Sequence, residues 1–156
     1  MPENPVLLVP LDGSPLAESA VREAAVLARA LGAQVILLSV VTPREDVIQS
    51  GTMRIAVDEI FAAERDRALA YLNDVASWPL WSGVSPHVVV EAGNTAETIV
   101  DFAKSHHVDR IVMATHGRSG ITRWVFGSVA EKVLHAADRT VVLVPAAGKL
   151  PSLAGD

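Results

Sequence analysis

The residues best suited to chemistry lie late in the chain. Val112-Met113-Ala114-Thr115-His116-Gly117-Arg118-Ser119-Gly120 is followed by Gly127-Ser128-Val129-Ala130. A β-branched run breaks off into a loop of glycine, arginine and histidine, and a helix then opens with Gly-Ser. Bare backbone amides beside a helix N-terminus make a site for an anion such as phosphate. Gly117 and Gly127 would admit a phosphate chain where a Cβ would obstruct it. The first amides of the helix have no intrahelical partner, and Ser128 adds a hydroxyl donor. The same glycines would serve equally well to shape a turn and a cap.

Asp12 is the second candidate, in the turn Leu11-Asp12-Gly13-Ser14. A carboxylate there could accept hydrogen bonds from a ribose hydroxyl or a base, or help hold a metal. It could instead bond its own backbone as a turn aspartate. His116 could donate to a phosphate or bond a backbone carbonyl, and Arg118 and Arg123 could neutralise phosphate charge or stand in solvent. Trp124, Val125 and Phe126 are apolar for a loop and are expected to fold against the sheet or a partner subunit. His106-His107 falls at a helix end, where cations are favourable, and no second ligand cluster supports a zinc site.

Several chemistries are excluded by pattern. No Gly-x-x-x-x-Gly-Lys-[Ser/Thr] occurs, so the chain is not a P-loop protein. No Gly-x-Gly-x-x-Gly follows the first strand, which argues against a dinucleotide. A Ser119–His116–Asp12 hydrolase is dismissed, because Gly117-Arg118-Ser119-Gly120 is not the Gly-x-Ser-x-Gly elbow and no helix follows it at once.

These residues need a scaffold, and the apolar runs supply one. Val6-Leu7-Leu8-Val9 reads as a strand buried on both faces. Ser14 is an N-cap with Pro15 at the first helical position, and Gly32 stops that helix after Leu31. Val35 to Val41 is a second strand, and Thr42 to Gly51 a polar loop. A long helix spans roughly Arg54 to Ala76, with Val57, Phe61, Ala68, Leu72 and Val75 as its apolar stripe. Trp78-Pro79 ends it.

His87 to Val90 is the third strand. Asn94 caps the next helix with Glu97 as capping-box partner, and Ile99, Val100 and Ala103 face the core. Arg110 to Met113, a helix from Ser128 to Ala136, and Val141 to Val144 complete the series. The alternation βαβαβαβαβ predicts an α/β fold, a parallel open sheet with helices on both faces. Ligands of such sheets bind beyond the carboxyl ends of the strands, where strand order reverses. With no repeat or linker, residues 1–156 read as a single domain, its core about 5–146 and a loose tail 147–156.

Composition narrows the function classes. The chain has 156 residues, half of them hydrophobic, enough for one packed core rather than a disordered polymer. A formal charge of -5 without a basic face argues against a nucleic-acid partner. The absence of cysteine excludes disulfides and thiolate chemistry and fits a reducing compartment. Met1-Pro2-Glu3-Asn4-Pro5 has neither a basic n-region nor an apolar h-region, and no apolar run is long enough to cross a bilayer. The expectation is a soluble cytoplasmic protein with no membrane partner.

Over essentially its full length the chain resembles the universal stress protein family. The resemblance rests on Val9-Pro10-Leu11-Asp12-Gly13-Ser14, Leu37-Leu38-Ser39-Val40-Val41, Gly93-Asn94, the stretch Met113 to Gly120, Gly127-Ser128-Val129-Ala130, and Val141 to Pro145. Members that bind ATP carry Gly-x2-Gly-x9-Gly-[Ser/Thr]. Gly117, Gly127 and Ser128 match its later positions, and Ala114 stands at the first. The resemblance implies a Rossmann-like five-stranded sheet of order 3-2-1-4-5, with its switch point between strands one and four. It implies that Pro10, Leu11 and Val40 line adenine, with Asp12 near base and ribose. Met113, Ala114, His116, Gly117 and Arg118 would flank ribose and phosphates, and Gly127, Ser128 and Val129 would hold the phosphates.

It further implies ATP with Mg²⁺ or Mn²⁺, the ion held mainly by the phosphates, and a homodimer paired through the fifth strand, Val141 to Val144. The function expected on this basis is a nucleotide-dependent stress-response or signalling switch with at most slow ATP hydrolysis. The loop offers no general base for water attack and no Walker-type lysine. The alternative is a dimeric interaction protein that binds no nucleotide and keeps a vestigial pocket, for which Ala114 speaks. A nucleotide-activating α-hydrolase would need Ser-Gly-Gly-x-Asp-Ser after strand one, which Leu11-Asp12-Gly13-Ser14 does not match.

Overall fold

The computed structural model describes residues 3–43, 51–115 and 126–145, with the backbone alone over 51–56. Its elements are β1 (Val6–Pro10), α1 (Pro15–Leu31), β2 (Gln34–Val41), α2 (Gly51–Ala76), a 3-10 turn (Pro79–Trp81), β3 (His87–Ala92), α3 (Thr95–Ser105), β4 (Arg110–Ala114), α4 (Ser128–Ala136) and β5 (Thr140–Val144). The strands form one parallel sheet in the order β3-β2-β1-β4-β5. This is the doubly wound α/β architecture and strand order expected. At the centre, Leu8 of β1 pairs with Ile36 of β2 on one side and Ile111 of β4 on the other. The chain winds outward from β1 to β3, then returns through α3 to β4. Strand order therefore reverses between β1 and β4, which opens a crevice beyond their carboxyl ends.

Alternation along each strand divides the core into two layers. Leu7, Val9, Leu37 and Val112 pack with α1, α2 and Trp81. The buried face of α1 is built of Ala20, Ala24 and Ala28, small side chains that let the helix lie close on the sheet. Leu8, Leu38, Ile111 and Met113 pack on the opposite face with Ile99, Phe102, Ala103 and Val133 of α3 and α4. The predicted stripe of α2 is graded. Val57, Phe61 and Ala68 are half-buried, whereas Leu72 and Val75 are fully enclosed.

Local sequence rules account for most boundaries. The Ala17 N–H donates to Ser14 Oγ at 3.2 Å, and Gly32 closes α1 in the left-handed region at φ 63°. The Glu97 N–H donates to Asn94 Oδ1 at 3.3 Å. The return bond from the Glu97 side chain is not made among the described residues, so only half of the predicted capping box forms. Several strands extend one residue past expectation, and two boundaries move further. β3 runs on to Ala92, because its last residues pair with Val40 and Val41 and the Gly93 N–H donates to Val41 O at 3.1 Å. α2 begins at Gly51 rather than Arg54, and the expected loop over 44–50 lies outside the described residues. Trp78-Pro79 does end α2, but Pro79 starts a further 3-10 turn that buries Trp81, whose indole N–H donates to Val75 O at 2.8 Å.

Candidate functional site

A cavity of about 1060 Å³ lies at the carboxyl ends of β1, β2 and β4. That is the upper end of the roughly 300–1,000 Å³ usual for small-molecule sites. Its floor is Pro10 and Leu11 after β1, Ser39 to Val41 at the end of β2, and Met113 and Ala114 at the end of β4. Gly127, Ser128 and Val129 border it from the start of α4. Nine residues singled out in the sequence thus meet at one cavity: Pro10, Leu11, Asp12, Val40, Met113, Ala114, Gly127, Ser128 and Val129. His116, Gly117 and Arg118 lie outside the described residues, as do Ser119, Arg123, Trp124 and Val125. Phe126 is nearly half exposed and so is not folded into the sheet.

Of the helices that follow these parallel strands, α1, α3 and α4 have described N-termini, and these are not equivalent. Ser14 caps α1 and Asn94 caps α3 with their own side chains. α4 starts at Gly127, which offers no side chain, and no side-chain hydrogen bond caps it among the described residues. A helix N-terminus carries partial positive charge from its unpaired amides, so an uncapped end at a cavity wall attracts anions. The start of α4 is held firmly. The Gly127 N–H donates to Thr115 O at 2.7 Å, and the Thr115 N–H donates to Val144 O at 2.9 Å. Gly127 sits at φ -59° and ψ 153°, open to any residue. Backbone conformation therefore does not demand glycine there.

Asp12 takes the turn role. Its Oδ1 accepts the Ser14 N–H at 2.9 Å and the Ser14 hydroxyl at 2.5 Å, around Gly13 at φ 83°. The bond fixes the entrance to α1 while the carboxylate still borders the cavity.

One wall was not read from the sequence. Glu64, Arg67, Ala68 and Tyr71 of α2 close the cavity on one side. Their spacing, three, one and three, is one helical face, a signal that could have been used. Arg67 is the sole cation lining the cavity among the described residues. The Tyr71 hydroxyl donates to Glu18 Oε1 at 2.8 Å. Burial of the phenol raises its pKa, and the hydrogen bond and negative charge of Glu18 add to the rise. Among the described residues no cluster of three or more histidine, aspartate or glutamate side chains gathers to hold a metal ion.

A model of the universal stress protein family matches residues 4–145. The chain belongs to the universal stress protein family. It is 32% identical over 141 residues to a universal stress protein of Methanocaldococcus jannaschii, covering 88% of this chain and 80% of the relative. It spans 46% of the length of longer mycobacterial universal stress proteins. The solved universal stress protein UspA of Lactobacillus plantarum superposes with a TM-score of 0.77 at 25% identity, covering 90% of this chain and 97% of that one. A universal stress protein of Archaeoglobus fulgidus, solved in complex with dAMP, superposes at 0.58 with 23% identity, covering 92% and 99%. These superpositions show that the present universal stress protein shares their fold. Among its described residues no helix is long and apolar enough to cross a membrane.

Proposed function

We propose that this universal stress protein binds ATP in the cavity and acts as a nucleotide-dependent stress-response or signalling switch. The observation that carries the reading is the uncapped N-terminus of α4 at a cavity whose opposite floor is apolar. Phosphates would lie on the Ser128 and Val129 amides and pass close to Gly127, whose own N–H is taken by Thr115 O and so does not contribute the amide expected of it, and the base would lie against Pro10, Leu11 and Val40. Met113 and Ala114 would border the ribose, with Asp12 near ribose and base and His116, Gly117 and Arg118 completing the loop. The cavity is large enough for a whole nucleotide, and the dAMP complex of the Archaeoglobus fulgidus protein supports the class of ligand.

Mg²⁺ or Mn²⁺ would be carried mainly by the phosphates. Hydrolysis would be slow at most, since the sequence carries no Walker-type lysine. The same reading takes residues 1–156 as one cytoplasmic domain, with a core over 5–146 and a tail over 147–156. It pairs two copies through β5, the strand at the edge of the sheet beside β4 among the described residues, half-buried along Val141 to Val144. One observation favours a second reading, a dimeric interaction protein without nucleotide: the Ala114 methyl stands in the cavity wall, 6% exposed.

The purified protein decides between them. Denaturation should release adenine nucleotide identifiable by mass, and calorimetry with Mg²⁺ or Mn²⁺ should show ATP binding. Neither released nucleotide nor measurable heat would leave only the second reading.

A further inference from the structure

Ser39 is the buried polar residue of the described core. It interrupts the apolar run of β2, is 7% exposed, and its hydroxyl makes no hydrogen bond among the described residues. Alternation sets it on the same face as Leu37, toward α1 and α2, whereas Val40 faces the α3 layer. It lines the cavity, as do Ala17, Ala68 and Tyr71, the Asp12 and Glu64 carboxylates and the Arg67 guanidinium. The cavity therefore wraps over the carboxyl edge of the sheet. The α4 amides open on the α3 and α4 side, and the Ser39 hydroxyl opens on the other.

Resting on the nucleotide reading, we propose that Ser39 is a specificity-determining residue, its hydroxyl accepting a hydrogen bond from the exocyclic amine of a purine. A nucleotide with phosphates on α4 reaches the α2 wall with its far end, the base. That wall is apolar at Ala17 and Ala68, as the face of a purine requires. The lining carries two carboxylates, Asp12 and Glu64, against one cation, Arg67, a balance that favours a donor over a keto oxygen at the ligand's edge. Ser39 is rigidly placed: β2 pairs it with Val90, and the preceding Leu38 carbonyl accepts the Leu11 N–H at 2.8 Å. A buried hydroxyl left unpaired by the wrong ligand discriminates far more strongly than an apolar contact does.

The test is calorimetry of the full chain with ATP and with purine riboside triphosphate, which lacks only the amine, both with Mg²⁺. The wild type should bind ATP about ten-fold more tightly, about 1.4 kcal/mol. Ser39→Ala should lower ATP affinity and abolish the preference for ATP over the analogue, whose binding it should not weaken. Ser39→Cys, close in size but a weak acceptor, should behave alike and carries the comparison if the alanine variant does not fold. Equal affinities in the wild type overturn the proposal, as does a Ser39→Ala variant that weakens both ligands equally or preserves their ratio. A wild type that binds neither triphosphate overturns the nucleotide reading itself, a result distinct from the others.

Discussion

The Tyr71 hydroxyl donates to Glu18 Oε1 at 2.8 Å, joining α2 to α1 along the cavity wall. Both residues are part-buried, so the bond works in a medium of lower dielectric than water. Tyr71→Phe should lower unfolding stability by roughly 0.5–1.5 kcal/mol. Denaturant titration of the two proteins checks it, and an unchanged midpoint would show that the two helices do not depend on the bond.

The same contact predicts a pH dependence. The folded state holds the Tyr71 proton more tightly than the unfolded chain, whose phenol titrates at about 10. The resulting stability is complete below that pH and declines as pH rises above it toward the raised folded value. Tyr71 is the chain's single tyrosine, so tyrosinate absorbance reports it alone. The midpoint should lie above that of free tyrosine, and Tyr71→Phe should abolish this alkaline loss of stability.

Gly127→Val should separate fold from ligand. The backbone at φ -59° and ψ 153° suits valine, so the melting temperature should hold. Its side chain would project where a phosphate chain approaches α4, and ATP affinity should fall by at least roughly ten-fold, about 1.4 kcal/mol. Unchanged affinity in calorimetry would remove phosphate from this helix end.

Ser14→Ala tests the turn at Asp12. It deletes the acceptor for the Ala17 N–H and the hydroxyl bonded to Asp12 Oδ1. Loss of an N-cap costs about 0.5–2 kcal/mol, and chemical denaturation should report a value in that range.

Arg139→Ala tests a different joint. Its guanidinium donates from Nη1 to Ala103 O at 3.0 Å and Val108 O at 2.6 Å, and it pairs with Asp138 at 2.9 Å. It thereby fastens the end of α3 to the entrance of β5. The exposed ion pair contributes little. The carbonyls lose a charged donor, and the variant should lose roughly 1.5–3 kcal/mol in a melt or denaturant titration.

Those elements legible in the sequence were the ones governed by near neighbours. Ser14 with Pro15, Asn94, and Gly32 mark helix ends through bonds spanning a turn or less. The buried strands read directly from runs such as Val6 to Val9, and the cavity's glycine side from Gly127-Ser128. Ser39 was read only as part of a strand, because what a strand residue meets depends on which helix covers its face. Glu64, Arg67 and Tyr71 were missed for the same reason: the stripe of Ala68, Leu72 and Val75 says that α2 packs, not that its edge borders a cavity formed by β1 and β4. The turn at Pro79–Trp81 was hidden by reading Pro79 as a terminator alone.

The cavity draws on Pro10 after β1, Val40 in β2, Tyr71 in α2 and Ala114 and Ser128 far along the chain. No half of the polypeptide contains it. A ligand there therefore recognises only the completely folded chain, and it acts as a thermodynamic clamp on the whole molecule. At a concentration one hundred times its dissociation constant it would add about 2.7 kcal/mol to global unfolding. The abundance of such a small molecule in its surroundings would then set the lifetime of the protein against unfolding and degradation, a form of sensing that needs no conformational change.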